Sequence, residues 1–135
     1  MVETFVKCKI TNPKTSKGKE IDFFVDTGAT YTTVPSEILE TLGIKKTDKI
    51  QIELGNEETI ERYIGTVLVE LEGRKSPTPV IFGEEKDAVV LGVVTLEECR
   101  LTVDSVNKKL VPVTKVHHYK LDNSIAVDTE VIESL

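Results

Sequence analysis

Tryptophan is absent from this 135-residue chain, and seven aromatic residues in all (four Phe, three Tyr) leave its core to Val, Ile and Leu. Cysteine is almost absent too. Cys8 and Cys99 stand alone, and fit neither a disulfide framework nor paired zinc-ligand spacing. The two histidines, His117 and His118, are adjacent, so on regular structure their rings diverge and a metal site built from them is not expected. No long hydrophobic run occurs. The longest, Ala88 to Val94, is far short of the roughly 18 apolar residues that span a bilayer. Positive charge is in deficit, with 17 Lys+Arg against 23 Asp+Glu and a net charge of -6, which disfavours a general nucleic-acid binder. Residues 1 to 20 are charged throughout and lack the apolar stretch of a signal peptide. The expectation is a cytoplasmic protein with no cofactor, no metal, no membrane partner and no nucleic-acid partner.

What is present is a succession of short apolar segments with period-two alternation, separated by turn residues. Thr4 to Ile10 and Glu20 to Asp26 read as a hairpin about Asn12-Pro13 and Ser16-Lys17-Gly18. The run Ile21-Asp22-Phe23-Phe24-Val25 suggests a strand buried on both faces. A short helix follows, with Ser36 as its cap, Ile38, Leu39 and Leu42 as its stripe and Gly43 as its stop. Lys49 to Leu54 and Ile60 to Leu71 form a long hairpin with a polar tip. Val80 to Phe82 and Ala88 to Leu91 are further strands, Val93 to Cys99 is a helical turn or two, and Leu101 to Val106 pairs with Leu110 to Val113. Many strands, few helices and no βαβ alternation predict a mostly-β fold in one domain, residues 1–116, followed by a C-terminal extension, 117–135, of undefined structure.

The segment with chemistry in it is Phe23-Phe24-Val25-Asp26-Thr27-Gly28-Ala29-Thr30. An acid leaving an apolar strand is open to desolvation, which shifts acidities. Gly28 permits a tight turn and close approach of another chain, and the Thr27 hydroxyl can bond nearby backbone and stiffen the loop. By itself Asp-Thr-Gly is also an ordinary strand-end turn. It has company: about sixty residues later Val89-Val90-Leu91-Gly92 is a second apolar strand ending in glycine and leading into a helix, with the long hairpin between.

Over residues 4 to 113 this order resembles the retropepsin-like aspartic proteases. The resemblance implies a closed, barrel-like β fold with one or two short helices. Asp26 would be the catalytic acid within the loop Asp26-Thr27-Gly28-Ala29, and Leu91-Gly92 the second glycine motif crossing behind it. Gln51 to Ile64 would be the flap, with Leu54, Gly55, Asn56, Glu57, Glu58 and Thr59 over the substrate. It implies an aspartic endopeptidase acting on polypeptides. Because the signature occurs once, the second carboxylate would come from another copy, making the enzyme a homodimer. Asp104 reads as a hairpin acid, and Asp22 and Asp87 as solvated or turn residues. Retroviral members usually have an acid at the place of Thr30, and Arg followed by Asp or Asn at Val93-Val94, so those contacts do not carry over. Alternative readings are a dimeric peptide-binding module on the same fold, and an unrelated β-barrel adaptor.

Overall fold

The computed structural model describes residues 4–115, so the extension 117–135 and both histidines lie outside the described residues. Nine strands and two short helices follow in the order β1 (Phe5–Thr11), β2 (Gly18–Val25), β3 (Thr32–Pro35), α1 (Ser36–Thr41), β4 (Asp48–Glu53), β5 (Thr59–Leu71), β6 (Arg74–Gly83), β7 (Val90–Leu91), α2 (Val93–Glu98), β8 (Leu101–Asp104) and β9 (Lys109–Pro112). The fold is mostly β, as the alternating sequence predicts.

Seven strands make one sheet in the order β1-β2-β7-β3-β6-β5-β4, and a further pairing of β1 with β5 closes its first six members into a ring. β8 and β9 form a separate two-stranded sheet. Inward-facing residues of the ring supply the core: Ile10, Val34, Val67, Val69, Val80 and Leu91 are fully buried. Among the described residues, only Phe23 and Phe82 add aromatic bulk at its centre. Cys8 and Cys99 are free thiols buried in the same core. Burial, and then the nearby Cys99 thiol, pushes the Cys8 pKa up to about 12.

β2 departs from the sequence expectation of two buried faces. Ile21, Phe23 and Val25 face inward, Asp22 is exposed, and Phe24 is half-buried beside the exposed Phe5 ring at 5.5 Å. The outer side of β2 has no covering layer among the described residues, so only alternate residues are enclosed. Asp22 instead lies 3.5 Å from Lys7 on the neighbouring strand, as a solvated acid does.

β6 is longer than its apolar end suggests. Pro77 and Pro79 interrupt the pattern, yet both sit in the ladder opposite Leu68 and Thr66 of β5. At those two residues β6 pairs with β5 alone, since β3 joins only from Val80 onward. A missing N–H costs nothing on an unpaired side.

Helix α1 begins one residue earlier than Ser36 as a cap implies. Pro35 occupies the cap position with extended backbone and no side-chain cap, and the Ser36 hydroxyl donates to the Gly83 carbonyl at 2.9 Å. The C-terminus is as the sequence predicts. Gly43 has φ of 75°, its N–H donates to Glu40 O, and Ile44 N–H donates to Leu39 O. That pair of bonds, with Ile44 buried against Leu39, is a Schellman closure requiring a left-handed residue.

Candidate active site

Asp26 is the first residue past β2, and β2 ends there because β7 ends beside it. The parallel register Phe24↔Val90 and Val25↔Leu91 leaves the Asp26 N–H to donate to Leu91 O at 3.0 Å. The chain then turns sharply, with Ala29 N–H donating to Asp26 O at 3.1 Å. Inside this turn Gly28 N–H donates to Asp26 Oδ1 at 2.9 Å. One carboxylate oxygen is thereby oriented by the loop's own backbone, in a residue that is half-buried overall. A Cβ on Gly28 would lie 3.2 Å from that same oxygen, so glycine here spares the carboxylate a displacement.

The Leu91-Gly92 segment passes directly behind this turn. Val93 and Val94, the first two residues of α2, donate to Ala29 O at 2.8 Å and Thr30 O at 3.0 Å. N–H groups without intrahelical partners are thus satisfied by the acid-bearing loop. Such proximity has a steric condition. A Cβ on Gly92 would stand 2.5 Å from Tyr31 C and 2.6 Å from Tyr31 O, inside any permissible contact. Its φ is −94°, so close approach, rather than unusual backbone, requires glycine.

A buried hydroxyl cluster secures the crossing. Gly92 N–H donates to Thr32 Oγ1 at 3.0 Å, Thr32 and Thr95 hydroxyls are 2.6 Å apart, and Thr95 and Thr78 hydroxyls are 3.0 Å apart. All three threonines are buried, and the cluster joins β3, α2 and β6. Sequence reasoning missed it, because isolated threonines in apolar stretches look like ordinary strand residues.

Asp26, Gly28 and Ala29 form the floor of a cleft of about 700 Å³. Its opposite wall is the β4–β5 hairpin, through Ile50, Ile52, Leu54, Gly55 and Ile60, and one end is closed by Lys86, Asp87 and Ala88. The hairpin residues expected over the cleft divide. Leu54 and Gly55 line it, whereas Asn56, Glu57, Glu58 and Thr59 form an exposed tip beyond it. A tight turn produces this split: Leu54 N–H donates to Glu58 O at 2.7 Å, Glu58 N–H to Asn56 Oδ1 at 3.1 Å, and Glu57 has φ of 69°.

Thr27 points elsewhere. It is exposed and lines a second concavity of about 660 Å³, shared with Thr4, Val25, Val93, Leu96, Val103 and Val113. Its hydroxyl makes no hydrogen bond among the described residues, so the expected bracing of its own loop is absent there. Stiffness comes instead from the Asp26 carboxylate and the Leu91–Val94 crossing. Leu91 is fully buried and Gly92 buried, so both support the loop from behind and neither reaches the cleft.

Of the other acids, Asp104 is the hairpin acid the sequence suggests, and Asp87 departs from its expectation. Asp104 caps the β8–β9 turn, accepting from Val106 N–H, Asn107 N–H and Asn107 Nδ2, and these bonds, the Asn107 amide first, hold its pKa below the usual carboxylate value. Asp87 is more than a turn acid. It accepts Glu84 N–H at 2.7 Å, and also takes a bidentate contact from Arg62, Nε to Oδ2 at 2.6 Å and Nη2 to Oδ1 at 2.9 Å. The Arg62 guanidinium lowers the Asp87 pKa, and Asp87 raises that of Arg62. The available signal was Ile60-Glu61-Arg62-Tyr63-Ile64, whose alternation puts Arg62 on the side of two isoleucines.

Among the described residues no cluster of three or more His, Cys, Asp or Glu could hold a metal, and no helix is long and apolar enough to cross a membrane. A search of curated proteins finds no match. A family model described as gag-polyprotein putative aspartyl protease matches residues 14–98, a span holding the Asp26 turn, the β4–β5 hairpin and the Gly92 crossing. With its strand ring, its single Asp-Thr-Gly turn and well over half its length inside that match, the chain belongs to this retropepsin-like aspartyl protease family.

Proposed function

We propose that this protein is an aspartic endopeptidase completed by homodimerisation, each protomer contributing Asp26. The observation that carries the reading is the site's half-built state: one backbone-oriented carboxylate, on the half-buried Asp26, lines a cleft of about 700 Å³, with no second acid free to join it among the described residues. Of the other acids on that cleft, Asp87 is held by Arg62, and Glu53 belongs to the opposite hairpin. Two-fold symmetry supplies the missing group, because a self-complementary contact through the Asp26 turn brings the turn and its mate together. The second concavity supports this. It exposes Thr27 beside the half-buried apolar residues Val93, Val103 and Val113, a surface suited to a second copy.

Two carboxylates in contact cannot both ionise, so one holds a proton and the other is a base. The base takes a proton from a bound water, and the water oxygen attacks the peptide carbonyl carbon. The protonated carboxyl gives its proton to the carbonyl oxygen, forming a tetrahedral diol. Proton return to the amide nitrogen then accompanies C–N cleavage. The pair titrates as a unit, so a bell-shaped pH profile belongs to the dyad. The β4–β5 hairpin serves as the flap. It closes over an extended polypeptide, bonds its backbone as an added strand does, and excludes water. The two reduced thiols suit a cytoplasmic setting.

A non-cleaving peptide-binding dimer is the second reading, favoured by Thr30 and Val93-Val94 standing where retroviral members carry charged side chains. Digestion of a peptide library by wild type beside Asp26→Asn, with product masses recorded, separates the two. The enzyme reading expects cleavage that disappears in a folded, dimeric variant; cleavage that survives the substitution defeats it.

A further inference from the structure

Besides Gln51 and Glu53, the β4–β5 hairpin lines the cleft with a cluster of isoleucines that holds one cation. Ile52 pairs with Ile60 and Ile50 with Arg62, and directly opposed residues share a face of the sheet. All four line the cleft. A guanidinium among isoleucines needs a counter-charge, and Asp87 across the cleft's end provides it. The Arg62 side chain is 14% exposed and that of Asp87 21%. The pairing leaves little capacity unused. Arg62 gives Nε and Nη2 to Asp87 and Nη1 to Glu61 O at 2.7 Å, with Glu84 Oε2 at 3.5 Å. Asp87 takes the Glu84 N–H as its third bond.

We propose that the Arg62–Asp87 clasp determines side-chain specificity at this end of the cleft. By occupying each other, the two charges leave neither Arg62 nor Asp87 free to pair with a charged substrate side chain, so that stretch of wall, beside Lys86, favours apolar ones. The inference rests on the peptidase reading above and names the substrate class for that site: polypeptides with an aliphatic side chain facing the wall. It is specific because either partner alone would be a strong ligand site. A freed guanidinium makes short bidentate bonds to carboxylates, and a freed, half-enclosed carboxylate binds ammonium and guanidinium groups.

Two substitutions therefore act in opposite senses. Asp87→Asn removes the charge paired with Arg62, leaving only the longer Glu84 contact, and should raise preference for peptides with Asp or Glu at the wall position, relative to Leu, by roughly ten- to a hundred-fold. Arg62→Met, whose side chain suits the isoleucine face, releases Asp87 and should raise preference for Lys or Arg by a similar factor. Both are measured as cleavage profiles of a peptide library. They are also measured as equilibrium binding of the same peptides in an Asp26→Asn background, where no turnover is needed. Far-UV circular dichroism confirms folding; should Asp87→Asn fail to fold, Arg62→Met carries the test. Opposite shifts in the two variants support the clasp, and identical profiles for both variants and wild type overturn it. Shifted binding by a protein that never cleaves would keep the clasp and remove the peptidase reading. Cleavage with unshifted profiles would do the reverse.

Discussion

Gly92→Ala is the substitution whose consequence follows most directly from the geometry. The added methyl would lie 2.5 Å from Tyr31 C, 2.6 Å from Tyr31 O and 2.9 Å from Thr30 O, all backbone atoms. Ordinary contact needs about 3.5 Å, so the two segments must separate by about 1 Å. The bond from Val94 N–H to Thr30 O, now 3.0 Å, would stretch beyond hydrogen-bonding range, and that from Val93 to Ala29 O would weaken. Overpacking in a rigid region costs about 1–3 kcal/mol and each lost bond about 1 kcal/mol, so the total is about 2–4 kcal/mol. In urea, that loss lowers the unfolding midpoint by about 1–2 M for a domain of this size. The control is Gly55→Ala, where an added methyl meets nothing within 4 Å and stability should change by less than about 0.5 kcal/mol. Both midpoints must be taken at one protein concentration, because dimerisation would shift them. A Gly92→Ala midpoint equal to that of Gly55→Ala would refute the close-approach account of the crossing.

Other outcomes follow from the same structure. Thr95→Val removes the central hydroxyl of the buried cluster, stranding Thr78, and should cost about 1–3 kcal/mol in a thermal melt, with Thr95→Ser recovering most of it; a Val variant as stable as wild type would contradict this. The Cys8 thiol is harder to ionise when folded, its pKa raised from 9.0 to about 12. Above pH 9 the unfolded chain releases this proton while the folded chain keeps it, so the stability contribution is complete below pH 9 and falls away between about 9 and 12. Urea midpoints over that range should therefore fall more steeply for wild type than for Cys8→Ala, and parallel curves would count against the burial of this thiol.

Legibility in the sequence followed the range of the interactions involved. Strands whose identity depends on alternation, such as β1 and β5, and the Gly43 stop, which depends on local backbone geometry, were readable from neighbouring residues. The Asp26 turn and the Gly92 segment were readable as motifs. What depended on distant partners was not. Nothing near Phe24 says that its outer face lacks a covering layer, and Pro77 and Pro79 concealed β6 because their tolerance depends on which neighbour is missing. Ser36 looks like a cap until Gly83, 47 residues later, takes its hydroxyl. Arg62 and Asp87 are 25 residues apart, and only the closed ring brings them to one cleft. Thr27 reads as a brace for its own loop, whereas its side chain faces the second concavity.

The shared dyad is tested most directly by mixing. Wild-type and Asp26→Asn chains are denatured together in varying ratio, refolded, and assayed for peptide cleavage per total protein. If a competent site needs Asp26 from both copies, activity follows the square of the wild-type fraction, about one quarter of the pure enzyme at equal mixing. A straight line through about one half, as from chains that each act alone, would contradict it.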